Sequence, residues 1–541
     1  MHRNASVDVH QFAMVPQADI PRSKFDRQST HKTCFNAGDL VPVYVDEVLP
    51  GDTISIGATL FGRLATPIFP VMDNLHLDIQ WFFVPNRLVW DNWVRMMGQQ
   101  DNPADSISYS VPQIVSKSGG YDVGSVFDYM GLPTAGQVTA GNTYSHSALF
   151  LRGYTLIWNE WYRDQNLQNS VTVSKGDGPD LYTAYSLLKR GKRHDYFTSA
   201  LPWPQKGAAV SLPLGTSAVV KTASTDLVTG ANANASRWLN VTGGGTAGSA
   251  AGFGPGNSLG YSGTAHTEAA KVYPSNLYAD LSTATAATIN QLRQSFQIQR
   301  LLERDARSGT RYSESVRVHF GVVLPDAQWR PSYLGGGSVP IVINPVAQTS
   351  GTSASGTTTP LGNLAAMGTV LNGAAGGFTQ SFAEHGMLFG LVSVRADLTY
   401  QQGLNRMWSR TTRYDFYYPV FQALGEQAIL NKEIYCDGSA NDSLVFGYNE
   451  RWSEYRYRPS MITSLMRSTS AGTIDAWHLA QKFTSLPTLN STFIQESPPL
   501  SRILAVGASA NGQQILLDCF FSVRAARAMP LYSVPGMIDH F

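Results

Sequence analysis

Apolar and polar residues alternate in short blocks along much of this chain. In LHLDIQWFFV, Leu75, Leu77, Ile79, Trp81 and Phe83 point one way, while His76, Asp78 and Gln80 point the other. Period two predicts a half-buried β-strand. SVRVHFGVVL repeats the pattern with Val316, Val318, Phe320, Val322 and Leu324, and QQILLDCFFSVRAARAM does so with Ile515, Leu517, Cys519, Phe521 and Val523. VPVYVDEVLPGDTISIGATLFGRL reads as two β-rich runs around the turn LPGD. GMLFGLVSVRADLTY, QAILNKEIYC and SLVFGYNERWSEYRYRP supply further strand candidates.

Helical spacing appears between these runs. NRLVWDNWVRMMG places Val89, Trp93 and Met97 on one face, with Asn86 as N-cap and Gly98 at the C-terminal side. SHSALFLRGYTLIWNEWYRD, residues 145 to 164, is apolar almost all round, which predicts a buried helix. GPDLYTAYSLLKRG predicts a helix capped by Asp180, with Leu181, Tyr185 and Leu188 on one face and Gly191 in the left-handed position after its end. INQLRQSFQIQRLLERDAR, residues 289 to 307, returns to helix.

These patterns divide the chain. Residues 1–35 are polar and mildly basic, either a solvated arm or one that crosses a neighbour or touches nucleic acid. Residues 36–206 hold the first strands and their helical connections. Residues 207–290 are rich in Ala, Gly, Ser and Thr with scattered apolar anchors, and read as an inserted surface subdomain, since a structureless loop of that length is improbable. Residues 291–541 return to strands, interrupted by a second Gly/Ser/Thr-rich stretch over about 347–377. Strands at both ends with long excursions between them predict a mainly β sandwich with elaborated connections.

Composition sharpens this. Of 541 residues, 43% are hydrophobic and only 15% charged, against roughly 25% charged in an average soluble protein. So little charge with so many aromatics implies surface hidden against other subunits. Lys plus Arg number 40 and Asp plus Glu 39, a net charge of +1, which excludes a globally basic nucleic-acid binder. Cys34, Cys436 and Cys519 are far apart with no CxxC, giving neither a disulfide framework nor a zinc spacing. The N-terminal residues lack a signal-peptide apolar core, and no run approaches membrane-span length. The expected setting is a reducing cytoplasm.

Catalytic motifs are absent. There is no G-x-x-x-x-G-K-[ST], H-E-x-x-H or G-x-S-x-G, so no catalytic, metal or cofactor residue is assigned. Two basic groups stand out. In SLLKRGKRHDYFTSALPWPQKG, helix capping explains Lys189, Arg190 and Gly191. Lys192, Arg193, His194 and Trp203 are left as candidates for a subunit contact. Arg22, Lys24 and Arg27 in the arm, Arg456 and Arg458 in ERWSEYRYRP, and Arg524 and Arg527 after the last strand are candidates to face DNA. Arginine among stacking aromatics is how sequence-tolerant single-strand binding works.

LLKRGKRHDYFTSALPWPQKG, INQLRQSFQIQRLLERDAR with GTRY, and MPLYSVPGMIDHF together resemble the major capsid protein of gokushoviruses, the Microviridae branch of small single-stranded DNA phages. SKFDRQSTHKT and WFFVPNRLVWDNW add to the likeness, which runs from near residue 20 to Phe541. The resemblance implies an eight-stranded viral jelly roll with long loop insertions. It implies pentamers assembled into a T=1 icosahedral shell of about sixty copies around circular single-stranded DNA. Partners implied are a small basic DNA-binding capsid protein, a pentameric or pilot minor virion protein, and a bacterial surface receptor met through residues 207–290. The setting is then the virion. A carbohydrate-binding or carbohydrate-cleaving β-sandwich is the alternative class, requiring an aromatic groove with two opposed carboxylates. A stand-alone single-stranded DNA binder is a third, disfavoured by the net charge.

Overall fold

A computed structural model describes residues 21–210, 219–222, 238–240, 251–253, 259–261, 272–274, 277–280, 289–325, 329–349, 364–372, 376–505 and 512–532. They comprise two compact units, one of residues 1–204 and 306–541, the other of residues 205–305.

The first unit is built on one antiparallel sheet. Its strands are β1 (Ser23–Phe35), β2 (Val41–Val48), β3 (Thr53–Leu64), β4 (Leu75–Pro85), β5 (Ser332–Ala347), β6 (Leu364–Asn372), β7 (Phe378–Ser381), β8 (Gly386–Ala396) and, after a separate hairpin of β9 (Glu426–Leu430) and β10 (Val445–Glu450), β11 (Ile515–Arg527). The order is β1-β11-β3-β6-β5-β4-β8-β2, with β7 also on β3. β5 is the joint. Its first part, up to Ile341, pairs with β4, and Val342 to Ala347 pair with β6. The sheet therefore curls over into a nearly closed sandwich of the jelly-roll kind. Both halves feed one core, in which Trp81 of β4 meets Phe521 of β11 edge-on, ring centres 5.9 Å apart, and Phe378 of β7 at 5.7 Å.

The outer face of β4 and β8 is also covered. Helix α1 (Leu149–Ile157), continued by one π-helical turn at Trp158–Tyr162, packs Leu151, Tyr154 and Ile157 against Phe82, Phe389 and Leu391. Gly153 permits the close approach, since a Cβ there would lie 3.0 Å from the Phe389 ring. This explains why β4 is buried on both sides rather than the one its alternation predicts, and why β8 is buried along its whole length. A third cluster joins Tyr196 and Phe197 to the β9–β10 hairpin and Phe493.

The second unit contains three nested antiparallel pairings: Val219–Thr222 with Leu277–Asp280, Trp238–Asn240 with Val272–Pro274, and Ala251–Phe253 with Leu259–Tyr261. Helix α2 (Ile289–Ser308) begins in it. The rest of the Gly-rich segment lies outside the described residues.

Four sequence expectations are corrected. Residues 312–320 form helix α3 (Tyr312–Phe320), not a strand. Glu314 accepts from the Arg311 amide at its start, and Gly321, at φ 74°, ends it. Residues 181–190 are not a helix: Asp180–Leu181 bridges to Ile114 and Val115, and Tyr182–Ala184 is one 3-10 turn. Gly191 therefore caps nothing; it bridges to Gln495. NRLVWDNWVRMMG breaks into a 3-10 turn and a single helical turn, Trp93–Met96. Finally, residues 23–35, read as arm, are β1, hydrogen-bonded to β11 along its length.

Candidate functional site

The basic segment after the 3-10 turn is held by tertiary partners. Lys189 Nζ lies 3.7 Å from Asp39. Arg190 reaches into the sheet, donating to Asp78 Oδ2 at 2.6 Å and Ser393 Oγ at 2.9 Å. Asp78 also accepts from Arg395 Nε at 3.0 Å and the Ser338 hydroxyl at 2.5 Å. Burial pushes the Asp78 carboxyl up, but Ser338 and the two guanidiniums outweigh it, and its pKa falls below the ordinary carboxylate value.

Lys192 is buried too. Its ammonium donates to Gln481 Oε1 at 3.1 Å and sits 4.5 Å over the Phe493 ring. Burial lowers its pKa from 10.5 to about 8, against the pull of Glu496 and Asp195. Between those values the unfolded chain binds more protons than the folded one, so stability rises with pH across this window and is lost as pH falls through it. Lys192→Met is expected to remove that rise. Urea midpoints of both proteins between pH 8 and 10 check it, and identical slopes would contradict the burial of this charge.

Arg193 and His194 are exposed and make no ion pair among the described residues. Trp203 is half-buried, and Pro204 ends the first of the two segments that make up the first unit. Of the candidates for a subunit contact, Lys192 is thus engaged inside the chain, while Arg193 and His194 stand open.

The seven candidates to face DNA fall into two groups. β1 and β11 bring five together, with Ser23 opposite Arg527 and Asp26 opposite Arg524. Three of these carry carboxylate partners: Arg27 with Asp46 at 2.6 Å, Arg527 with Asp52 at 3.0 Å and Arg524 with Asp26 at 3.5 Å. Arg22 donates to the Gly51 carbonyl, and Lys24 is exposed. Arg456 is held by both oxygens of Glu450, and Arg458 is exposed beyond it. Most of this charge is neutralised locally, so neither group forms a strongly basic surface.

Sequence reasoning missed the buried ion pairs. Arg152, fully buried in α1, donates to both oxygens of Asp180 at 2.7 and 2.8 Å and to the Val89 carbonyl at 3.1 Å. The available signal was a single charge inside an apolar run: Arg152 in ALFLRGYTLIW, Asp78 in LHLDIQW, Arg395 in LVSVRA. It also missed residues 407–424, which expose Trp408, Tyr414, Phe416, Tyr417 and Val420. Among the described residues no group of His, Cys, Asp and Glu could hold a metal ion, and no helix is long and apolar enough to cross a membrane.

The curled sandwich fixes the fold, and comparison with known proteins supplies the family. Residues 13–537 match the family described as capsid protein (F protein). The chain is 47% identical to capsid protein VP1 of Bdellovibrio phage phiMH2K, 43% to that of Chlamydia phage 1 and 36% to that of Spiroplasma virus 4, each time over 98% of both chains. This chain belongs to the phage capsid protein (F protein) family. It is a structural protein of the virion, not an enzyme, and the resemblance to gokushovirus major capsid proteins holds.

Proposed function

We propose that the chain assembles as pentamers into a T=1 icosahedral shell of about sixty copies around circular single-stranded DNA. The observation that carries this beyond family membership is the aromatic face at residues 407–424. Trp408 is 71% and Val420 80% exposed, and several large apolar side chains left in solvent within one short segment mark a contact with another chain. In this reading a neighbouring copy covers it. Val420→Glu is then expected to leave a folded subunit, by circular dichroism, that forms no particles under electron microscopy. Particles of unchanged size and yield would remove this face from the assembly contacts.

The net charge of +1 bears on packaging. A genome of phosphates needs Lys and Arg to neutralise it, and this chain supplies almost no surplus. In this reading a small basic DNA-binding capsid protein supplies it, with a pentameric or pilot minor virion protein completing the particle. Arg22, Lys24, Arg27, Arg456, Arg458, Arg524 and Arg527 are kept as candidate DNA-facing residues, with Lys24 and Arg458 the most available. Arg193, His194 and Trp203 are kept as candidate subunit contacts.

Residues 207–290 are proposed as the surface insertion that meets the bacterial host. Deleting 215–285 is expected to leave particle assembly intact and to abolish adsorption to host cells, counted as unbound infectious particles. Loss of folding in that deletion would overturn the assignment of these residues to a dispensable insertion.

A further inference from the structure

The first unit contains a cavity of about 870 Å³, within the range of sites that hold small organic ligands. It opens beside the basic segment whose charges sequence reasoning could not assign. Its cations come from three separate stretches: Arg163 after α1, Arg190 to Arg193 beyond the 3-10 turn, and Arg307 and Arg311 around the end of α2. Phe82, Trp161, Tyr162 and Tyr333 form aromatic wall.

The cavity is short of negative charge. Among the described residues two carboxylates line it, and both are already engaged. Asp164 Oδ1 accepts from the Asn166 and Leu167 amides at 2.9 and 3.0 Å, and Glu314 accepts from Arg311 at 3.0 Å and from Gln165. Arg307 and Arg311 have carboxylate partners. Arg163 has none among the described residues; one of its terminal nitrogens donates to the Gln168 carbonyl at 2.8 Å. The buried Nε atoms of Arg163 and Arg190 both lack an acceptor. Burial and the like charge of Arg311 lower the pKa of Arg163, as burial lowers that of Lys192. Arg193 and His194 add two further side chains at the rim that make no ion pair among the described residues.

We propose that this cavity binds a phosphate group, with Arg163 and Arg193 as its principal ligands and His194 at the rim. Guanidiniums drawn from separate stretches of the chain suit the tetrahedral oxygens of phosphate, which accept several charge-assisted hydrogen bonds at once. The aromatic wall leaves room for an organic body attached to it. Two sources offer the same chemistry: a free phosphate or phosphorylated small molecule, and the phosphodiester backbone of a single strand. Arg193 and His194 are also candidate subunit contacts, so the titration uses the unassembled chain, where its outcome does not depend on the shell reading.

The experiment is calorimetric titration of the purified full-length chain with inorganic phosphate, with chloride at matched ionic strength as the reference. Saturable binding absent from the reference is expected. Arg163→Gln combined with Arg193→Gln is expected to weaken it by about tenfold or more. Arg193→Gln combined with His194→Gln changes only exposed positions, so it keeps the test usable if Arg163 proves necessary for folding; a clear loss of affinity is expected there too. Absence of saturable phosphate binding, or unchanged affinity in both folded variants, overturns the proposal. A short oligothymidylate lacking terminal phosphates, added as competitor, separates the sources: displacement of phosphate assigns the strand backbone, and no displacement assigns a free phosphate group.

Discussion

Replacing Asp78 by alanine is expected to abolish recovery of soluble subunit. Asp78 lies in β4, almost fully buried, and its carboxylate is shared by Arg190, Arg395 and Ser338. Arg395 is itself 2% exposed. Removing the acid leaves Arg190 without its carboxylate and Arg395 with only the half-exposed Asp397, 3.5 Å away, and breaking a buried pair in this way costs about 3–5 kcal/mol. That is a large share of the roughly 5–15 kcal/mol that holds a typical domain together. The burden is specific to charge, which gives a second measurement. A variant carrying Asp78→Leu, Arg190→Met and Arg395→Met replaces the whole cluster by apolar groups and is expected to regain much of the lost stability in urea unfolding. If Asp78→Ala unfolds at the same urea concentration as the parent, the cluster is not what anchors the basic segment to the sheet.

Arg152→Ala should be nearly as severe, through a different layer. Arg152 ties α1 to the Asp180 loop and to the carbonyl of Val89, and Tyr185 donates to the same Asp180 carboxylate at 2.5 Å. Alanine leaves Asp180 without its cation, the carbonyl without its donor and an empty volume behind α1. The expected cost is again about 3–5 kcal/mol, read as a fall in the urea midpoint. Arg152→Met with Asp180→Leu fills the volume and removes both charges, so it should be clearly less damaging than the single change. Equal damage from both would show that packing, not the ion pair, dominates at this position.

These two clusters also mark where sequence reading succeeds and where it stops. Period-two runs located β4 and β11 because their apolar side chains meet a core. Alternation alone could not show that α1 covers the other side of β4, since that contact joins residues far apart in sequence. β1 escaped because SKFDRQSTHKTCF holds few apolar residues; what makes it a strand is backbone pairing with β11, almost five hundred residues away. SVRVHF misled in the opposite sense. Its alternation and β-branched residues mimic a strand, but Glu314 at the start and Gly321 at the end set helical boundaries that the pattern concealed. The apparent capping charges Lys189 and Arg190 are bound to Asp39 and Asp78, so their place at a supposed helix end was coincidence. The cavity beside them draws on stretches from residue 80 to residue 494 and has no local signature.

The position of β11 carries a consequence for synthesis. The last strand of the sheet does not lie at its edge. It fits between β1 and β3, two of the first strands to leave the ribosome. Until Arg527 has been translated and released from the exit tunnel, β1 has no neighbour in the sheet and one edge of β3 stays open. A nascent chain therefore cannot present a finished sandwich to other subunits, and polysome-bound chains are barred from joining a growing shell before they are complete. The same arrangement leaves unpaired strand edges exposed throughout elongation, which makes a truncated product ending before Ile515 a substrate for chaperones and proteases rather than a poison for assembly.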